Sequence, residues 1–124
     1  MSRSRIAVIQ LAKAMAIVKN TTVYTDSCKF NTAEGDVCVW IAHVSASGEN
    51  LAISQQCSID DRTWYDPVNA TPAALGSVAT AQAATAGVYI SYTAVLAPYI
   101  RFKIVAANTN DTVLELKVIF REEV

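Results

Sequence analysis

From Tyr99 to Val105, and again from Val113 to Phe120, large apolar side chains fall on every second residue. Ile100, Phe102 and Ile104 share one face, with Tyr99, Arg101 and Lys103 on the other; Leu114, Leu116, Val118 and Phe120 then face one way, and Glu115 and Lys117 the other. A helix repeats its apolar positions every three or four residues, so a period of two demands extended chain with one face buried. The polar run Asn108-Thr109-Asn110-Asp111 reads as a tight turn joining these two strands. On that reading Arg101 and Lys103 lie across from Glu115 on the solvated face, where opposite charges help set register.

Earlier segments carry the same signal. Thr22–Phe30 reads as one strand. Val37–Val44 is apolar on both faces, with Val37, Val39 and Ile41 against Cys38, Trp40 and Val44, as expected of a central strand covered on each side. Leu51–Ile59 sets Leu51, Ile53, Cys57 and Ile59 against Ala52, Ser54, Gln56 and Ser58, the second set facing water. Val88–Leu96 places Val88, Ile90, Tyr92, Ala94 and Leu96 together, and Ala97-Pro98 then forces a change of direction. Six strands at short spacing predict a mainly β protein: an antiparallel β-sandwich or partly closed barrel, with an N-terminal arm (residues 1–21), a single sandwich domain (22–124) and a long Ala/Thr-rich loop.

The arm and the loop stand apart from this pattern. In the arm, Val8, Leu11, Ala12, Met15 and Val18 fit one helical face, while the β-branched content of Ile6–Leu11 fits a strand; both forms remain open. Ala70–Gly87 holds eight alanines, three threonines, two glycines and no charge, with Leu75 and Val78 its large apolar side chains. A disordered linker keeps itself solvated with charge, proline or serine, so this segment is expected to lie extended against another surface. Both segments are expected to contact protein, through Ile6, Ile9, Leu11 and Met15 in the arm and Leu75 and Val78 in the loop.

Composition narrows the function. The 124 residues suffice for one domain with a core that needs neither disulfide nor metal. Ten basic side chains against eleven acidic leave no positive surplus for phosphate, which argues against nucleic acid as a partner. Only 17% of residues are charged, lean for a chain that must solvate its whole surface, so part of that surface is expected to face protein. Cys28, Cys38 and Cys57 are odd in number and lack a C-x-x-C pair, the pattern of buried thiols. The basic start and apolar Ile6–Val18 imitate a secretory signal, but Gln10 and Lys13 interrupt the run and Val18-Lys19-Asn20 offers no small-residue cleavage site. The run is also too short to span a bilayer, which takes about 20 apolar residues. A soluble chain made in a reducing cytoplasm is expected.

No catalytic constellation emerges. The sole histidine, His43, falls on a strand with Val37, Val39 and Ile41 and reads as a sheet-face residue; no G-x-S-x-G elbow is present. Asp60, Asp61 and Asp66 bracket Thr63-Trp64-Tyr65 but lack the spacing of a calcium loop, so they read as turn formers with Trp64 folded back onto the sheet. The N-x-T triplets at Asn20, Asn69 and Asn110 follow from the abundance of Asn and Thr. No enzyme activity, cofactor or metal is expected.

The run Ser58-Ile59-Asp60-Asp61-Arg62-Thr63-Trp64-Tyr65-Asp66, with Ala97-Pro98-Tyr99-Ile100-Arg101-Phe102-Lys103-Ile104 and Thr112–Val118 after it, resembles a pattern in small β-sandwich virion proteins of tailed bacteriophages. There an S-x-D-G-x-T-W turn precedes a P-Y-x-R-F-K strand, and Asp61 stands here in the glycine position. The resemblance covers roughly 36–123 and carries over no catalytic residues. It implies a head decoration (cement) protein on the capsid surface of a virion, its partner the major capsid protein or another virion protein, self-associated as a homotrimer, with no nucleic-acid or membrane partner. Two other roles share such sandwiches: a neck or tail component, and a carbohydrate-binding module presenting Trp64, Tyr65, Tyr89 and Tyr99.

Overall fold

The computed structural model describes residues 4–30, 32–44, 49–67, 74–80, 88–92, 94–106 and 112–123. The described chain is all strand and connection: β1 (Ser4–Ile17), β2 (Thr22–Tyr24), β3 (Cys28–Lys29), β4 (Thr32–Val44), β5 (Glu49–Ser58), β6 (Ala74–Thr80), β7 (Val88–Tyr92), β8 (Tyr99–Ala106) and β9 (Thr112–Glu123). Sheet A has the order β1-β9-β4-β7, and sheet B the order β2-β8-β5-β6 with β3 also on β8. Every pairing is antiparallel.

β2 and β3 are two pieces of one interrupted edge strand, which makes each sheet four strands wide. Between them Thr25 keeps the ladder intact, its N–H donating to the Phe102 carbonyl and its hydroxyl accepting from the Phe102 N–H, each at 3.0 Å. Apart from the β5–β6 hairpin, each connection between successive strands crosses from one sheet to the other. Eight antiparallel strands wound this way form a jelly-roll sandwich.

The interior is what the alternation prescribes. Ile100, Phe102, Ile104 and Ala106 from β8 meet Leu114, Leu116, Val118 and Phe120 from β9, together with Val37, Val39 and Ile41. Edge-to-face ring contacts, Phe30 on Phe120 at 5.2 Å and Tyr92 on Phe102 at 6.2 Å, fill the wider gaps.

Several sequence expectations need correction. β8 and β9 are not a hairpin: they lie in opposite sheets, so Arg101 and Lys103 cannot meet Glu115, which accepts instead from Gln10 Nε2 at 2.7 Å and lies 3.6 Å from Lys117. Alternation fixes which face is buried and leaves open which strand lies alongside. β4 is central, but its second face is uncovered, with Cys38 and Trp40 only half-buried on the outside of sheet A. Leu96 and Ile59 lie past the ends of their strands and are exposed. Gln56 and Ser58, expected to face water, are buried because the chain after β5 folds back over them.

The arm segment supplies β1, an edge strand on β9, with register shifts between Gln10 and Ala12 and between Ala12 and Met15. A regular strand cannot bury two successive residues on one face, yet Leu11 and Ala12 are both buried. The bulge permits it, and turns the Leu11 carbonyl to accept from the Asp26 N–H of the neighbouring sheet at 3.1 Å. Part of the Ala/Thr-rich loop is likewise a strand, β6, paired with β5; residues 70–73 and 81–87 of that loop lie outside the described set.

Candidate functional site

The two outer faces of the sandwich differ in chemistry. On sheet A, register places Val8, Ile119, Cys38 and Ser91 in one row and Gln10, Lys117, Trp40 and Tyr89 in the next, with Ile6 beside Arg121. Lys117 lies over the Trp40 ring at 5.1 Å, and the Glu115 carboxylate ties Lys117 to Gln10. Around this polar knot large apolar side chains are open, Ile6 69% exposed, Val8 59% and Tyr89 69%, with exposed Arg121 and Ser91 on the same face. Ile6 and Val8 are neighbours on the outer face of one strand, and adjacent exposed aliphatic side chains are less ordinary than scattered single ones.

On sheet B the outward side chains are occupied by one another. The turn after β5 is built by its own polar groups: Ser58 Oγ accepts from the Asp60 and Asp61 N–H groups, and Asp60 Oδ1 from the Arg62 and Thr63 N–H groups at 2.9 and 3.0 Å. These backbone donors, Thr63 first, hold the Asp60 carboxyl below its ordinary range. Asp61 takes φ of 62°, the left-handed region that glycine enters freely and Asp tolerates better than most residues. The turn therefore has the backbone form that its glycine-type position implied. It ends where Tyr65 and Cys57 exchange two backbone bonds at 3.0 Å, which lays Trp64 back over the sheet.

There Trp64 meets Arg101, whose guanidinium carbon is 4.5 Å from its ring centre and 4.2 Å from that of Tyr24. Tyr24 arrives from the β2 side of β8 and Trp64 from the β5 side, so the cation is flanked on both sides. Arg101 Nε donates to Gln56 Oε1 at 2.8 Å, Gln56 Nε2 donates to Asp66 Oδ1 at 2.9 Å, and Asp66 Oδ2 lies 3.6 Å from Lys103. Gln56, and then Lys103, hold the Asp66 carboxyl below its ordinary value.

A third polar element is internal. Gln55 is fully buried on the core side of β5; its Oε1 accepts from Tyr92 Oη at 2.8 Å and from the Val95 N–H at 3.3 Å, while its Nε2 donates to the Val95 carbonyl at 2.8 Å and to Cys57 Sγ at 3.4 Å. It pins the β7–β8 connection. Burial raises the Tyr92 hydroxyl and the nearby Cys28 and Cys57 thiols above their ordinary values. The parity of Gln55 between Ile53 and Cys57 was the signal for this inward amide.

The expected contact residues are dispersed. Ile6 is on the open face of sheet A, Ile9 and Met15 pack part-buried against the core, and Leu11 is in the core. Leu75 and Val78 belong to β6 at the edge of sheet B, with Val78 opposite Leu51. His43 stands opposite Leu114 in the β4–β9 ladder. Among the described residues no three His, Cys, Asp or Glu side chains are grouped to hold a metal, and no helix is long and apolar enough to cross a membrane. The cysteines are free thiols. Of the four aromatics considered for a sugar platform, Tyr89 is on sheet A, whereas Trp64, Tyr65 and Tyr99 are on or beside sheet B.

The architecture is an all-β sandwich of two antiparallel sheets, and solved structures share it. It is similar to the D431N mutant VP2 protein of infectious bursal disease virus in derived T=1 particles (TM-score 0.53, 13% identity, covering 95% of this chain and 32% of that one) and to the structure of the Gx strain of that virus (0.51, 14%, 95% and 33%). It is also similar to the C-terminal CBM6 of LamC from Zobellia galactanivorans (0.50, 10%, 92% and 98%). The chain spans about a third of the viral chains it matches. At these identities the likeness is one of fold. No protein-family model and no curated protein matches the sequence.

Proposed function

We propose that this chain is a non-enzymatic virion structural protein, a decoration protein that binds the outside of a phage head and stabilises the lattice across capsomer joints. The observation that carries this reading is the group of open apolar side chains on the outside of sheet A, where Ile6 and Val8 stand exposed on β1, Val8 in one row with half-buried Ile119 and Cys38, and Tyr89 is exposed on β7. Covering such a face against a capsid subunit removes apolar area from water, worth about 25 cal/mol per Å². A homotrimer seated where capsomers meet would present three such faces, so that individually modest contacts add through avidity. The jelly-roll fold, which it shares with a viral capsid protein, and the turn-and-strand resemblance to phage virion proteins support the same reading.

The test is to purify particles carrying the protein, count copies per particle, and compare particles bearing the Ile6→Asp/Val8→Asp double variant. A copy number matching the capsid lattice, with retention and particle strength lost in the variant, is expected. Both side chains are exposed, so the unfolding midpoint of the free protein should hardly change. Absence from particles refutes the reading, and a few copies per particle reassigns the chain to a neck or tail. Saccharide binding by a monomer would instead favour a carbohydrate-binding module, a role that the engagement of the Trp64 ring by Arg101 disfavours.

A further inference from the structure

We infer that Arg101 is a recognition site for a single carboxylate, an Asp or Glu side chain presented by the partner polypeptide; the choice of a protein source rests on the reading above. Three features prepare the guanidinium for this. Tyr24 and Trp64 flank it at 4.2 and 4.5 Å, which fixes its plane, and the Nε–H bond to Gln56 at 2.8 Å fixes its rotation in that plane. Gln56 is itself held by Asp66, so the acceptor does not swing away.

The rest of the guanidinium is unused. Among the described residues neither Nη nitrogen has a hydrogen-bond partner, and no carboxylate lies within ion-pair distance. Asp66, which would be the obvious counter-ion, is committed to Gln56 and Lys103; Asp61 acts on Arg101 only through space. The Nη pair forms a planar fork of N–H donors matched to the two oxygens of a carboxylate, and rigidity lowers the entropy lost on binding. Partial burial makes an unpaired charge costly, which a bound anion offsets.

The surroundings select among anions. Asp61, which acts on Arg101 through space, and Asp66, which holds Gln56, repel a polyanion such as nucleic acid or an acidic polysaccharide. One carboxylate on a mixed protein surface meets less of that repulsion than a polyanion does, because it brings a single negative charge to the cation. The fork sits on sheet B, opposite the apolar face of sheet A, so it meets a different neighbour from the one that covers Ile6 and Val8.

The experiment titrates the intact protein with N-acetylglutamate methylamide, its neutral N-acetylglutamine counterpart, and glucuronate. It follows the Arg101 Nε–H and Trp64 indole N–H resonances by NMR, with the Trp40 indole as an internal reference on the other sheet. Saturable shifts of Arg101 and Trp64 with the glutamate compound, about tenfold weaker or absent with the glutamine compound, are expected, as for loss of charge-assisted hydrogen bonding. Arg101→Lys, which keeps the charge and loses the fork, should abolish the response. No shift, equal shifts with the neutral compound, or a response to glucuronate alone overturns the proposal, and the wild-type titration decides it even if the variant does not fold. No particle is involved, so failure here is distinguishable from failure of the virion reading, which copy number decides.

Discussion

Replacing Gln55 with leucine tests whether an interior amide, and not apolar packing alone, fixes the connection between the two sheets. Leucine occupies similar space and keeps the core apolar, but it removes all four contacts that Gln55 makes to Tyr92, Val95 and Cys57. The Tyr92 hydroxyl is buried, so leaving it unpaired costs its desolvation, about 1–3 kcal/mol. The two backbone groups of Val95 are half-buried and regain part of their bonding from water, leaving about 1 kcal/mol between them. A net loss of about 2–4 kcal/mol is therefore expected in urea unfolding followed by tryptophan fluorescence, with an unchanged denaturant slope. Tyr92→Phe alone should cost about 1 kcal/mol, because Gln55 Oε1 keeps the Val95 N–H. In the double variant no orphaned hydroxyl remains, so its cost should fall short of the sum of the singles by about 1–2 kcal/mol. Strict additivity, or a neutral Gln55→Leu, would refute the claim that this network is what holds the connection.

Two further outcomes follow from the turn and its surroundings. Burial, and then the negative charge of Asp61, pushes the Cys28 thiol from 9.0 up to about 11. A folded value above the unfolded one means that stability is intact below pH 9 and is lost as pH rises towards 11, by about 2–3 kcal/mol from this group. Cys57 and Tyr92, also raised, act in the same sense. Denaturation midpoints measured from pH 8 to 11 should fall, and Cys28→Ala should flatten that fall; a midpoint independent of pH would contradict the burial. At Asp61, where φ is 62°, Asp61→Gly should change stability by less than about 1 kcal/mol, whereas Asp61→Val should cost about 1–2 kcal/mol, read from thermal unfolding.

The fold was legible wherever one side of a strand is apolar and the other polar, as in β8 and β9, because burial of one face is the dominant energy and alternation records it directly. Partner identity was not, and the misassigned pairing of Arg101 with Glu115 shows why: outward side chains say nothing of which strand lies alongside. β1 was ambiguous for a specific reason. The shift of parity at Leu11 and Ala12 brings consecutive residues inward, and with Met15 the buried set acquires the spacing of a helical face. β6 escaped notice because Ala-Leu-Gly-Ser-Val-Ala-Thr is strand mainly through its register on β5, a tertiary cause that local composition does not encode. The turn was the most readable part of the candidate site, since Ser58 and Asp60 satisfy backbone groups a few residues away. Arg101 was assigned correctly to the outside, but its neighbours Tyr24 and Trp64 come from distant parts of the sequence.

The two outer faces bear on the proposed role of bridging a shell. Side chains on sheet B hold one another through Gln56, Asp66, Lys103 and the ring contacts of Arg101 and leave the Arg101 Nη fork open, so a contact there is directed by a fixed cation. Sheet A has more exposed aliphatic surface, with Ile6 and Val8 open beside a polar knot of Gln10, Glu115 and Lys117 and the exposed Arg121 and Ser91. Area supplies affinity with little orientation, whereas a planar cation supplies orientation with little area. Because the faces lie on opposite sides of the sandwich, one flat partner surface cannot engage both. A chain that uses each must lie between two neighbours, which is the geometry that a protein bridging a subunit joint requires.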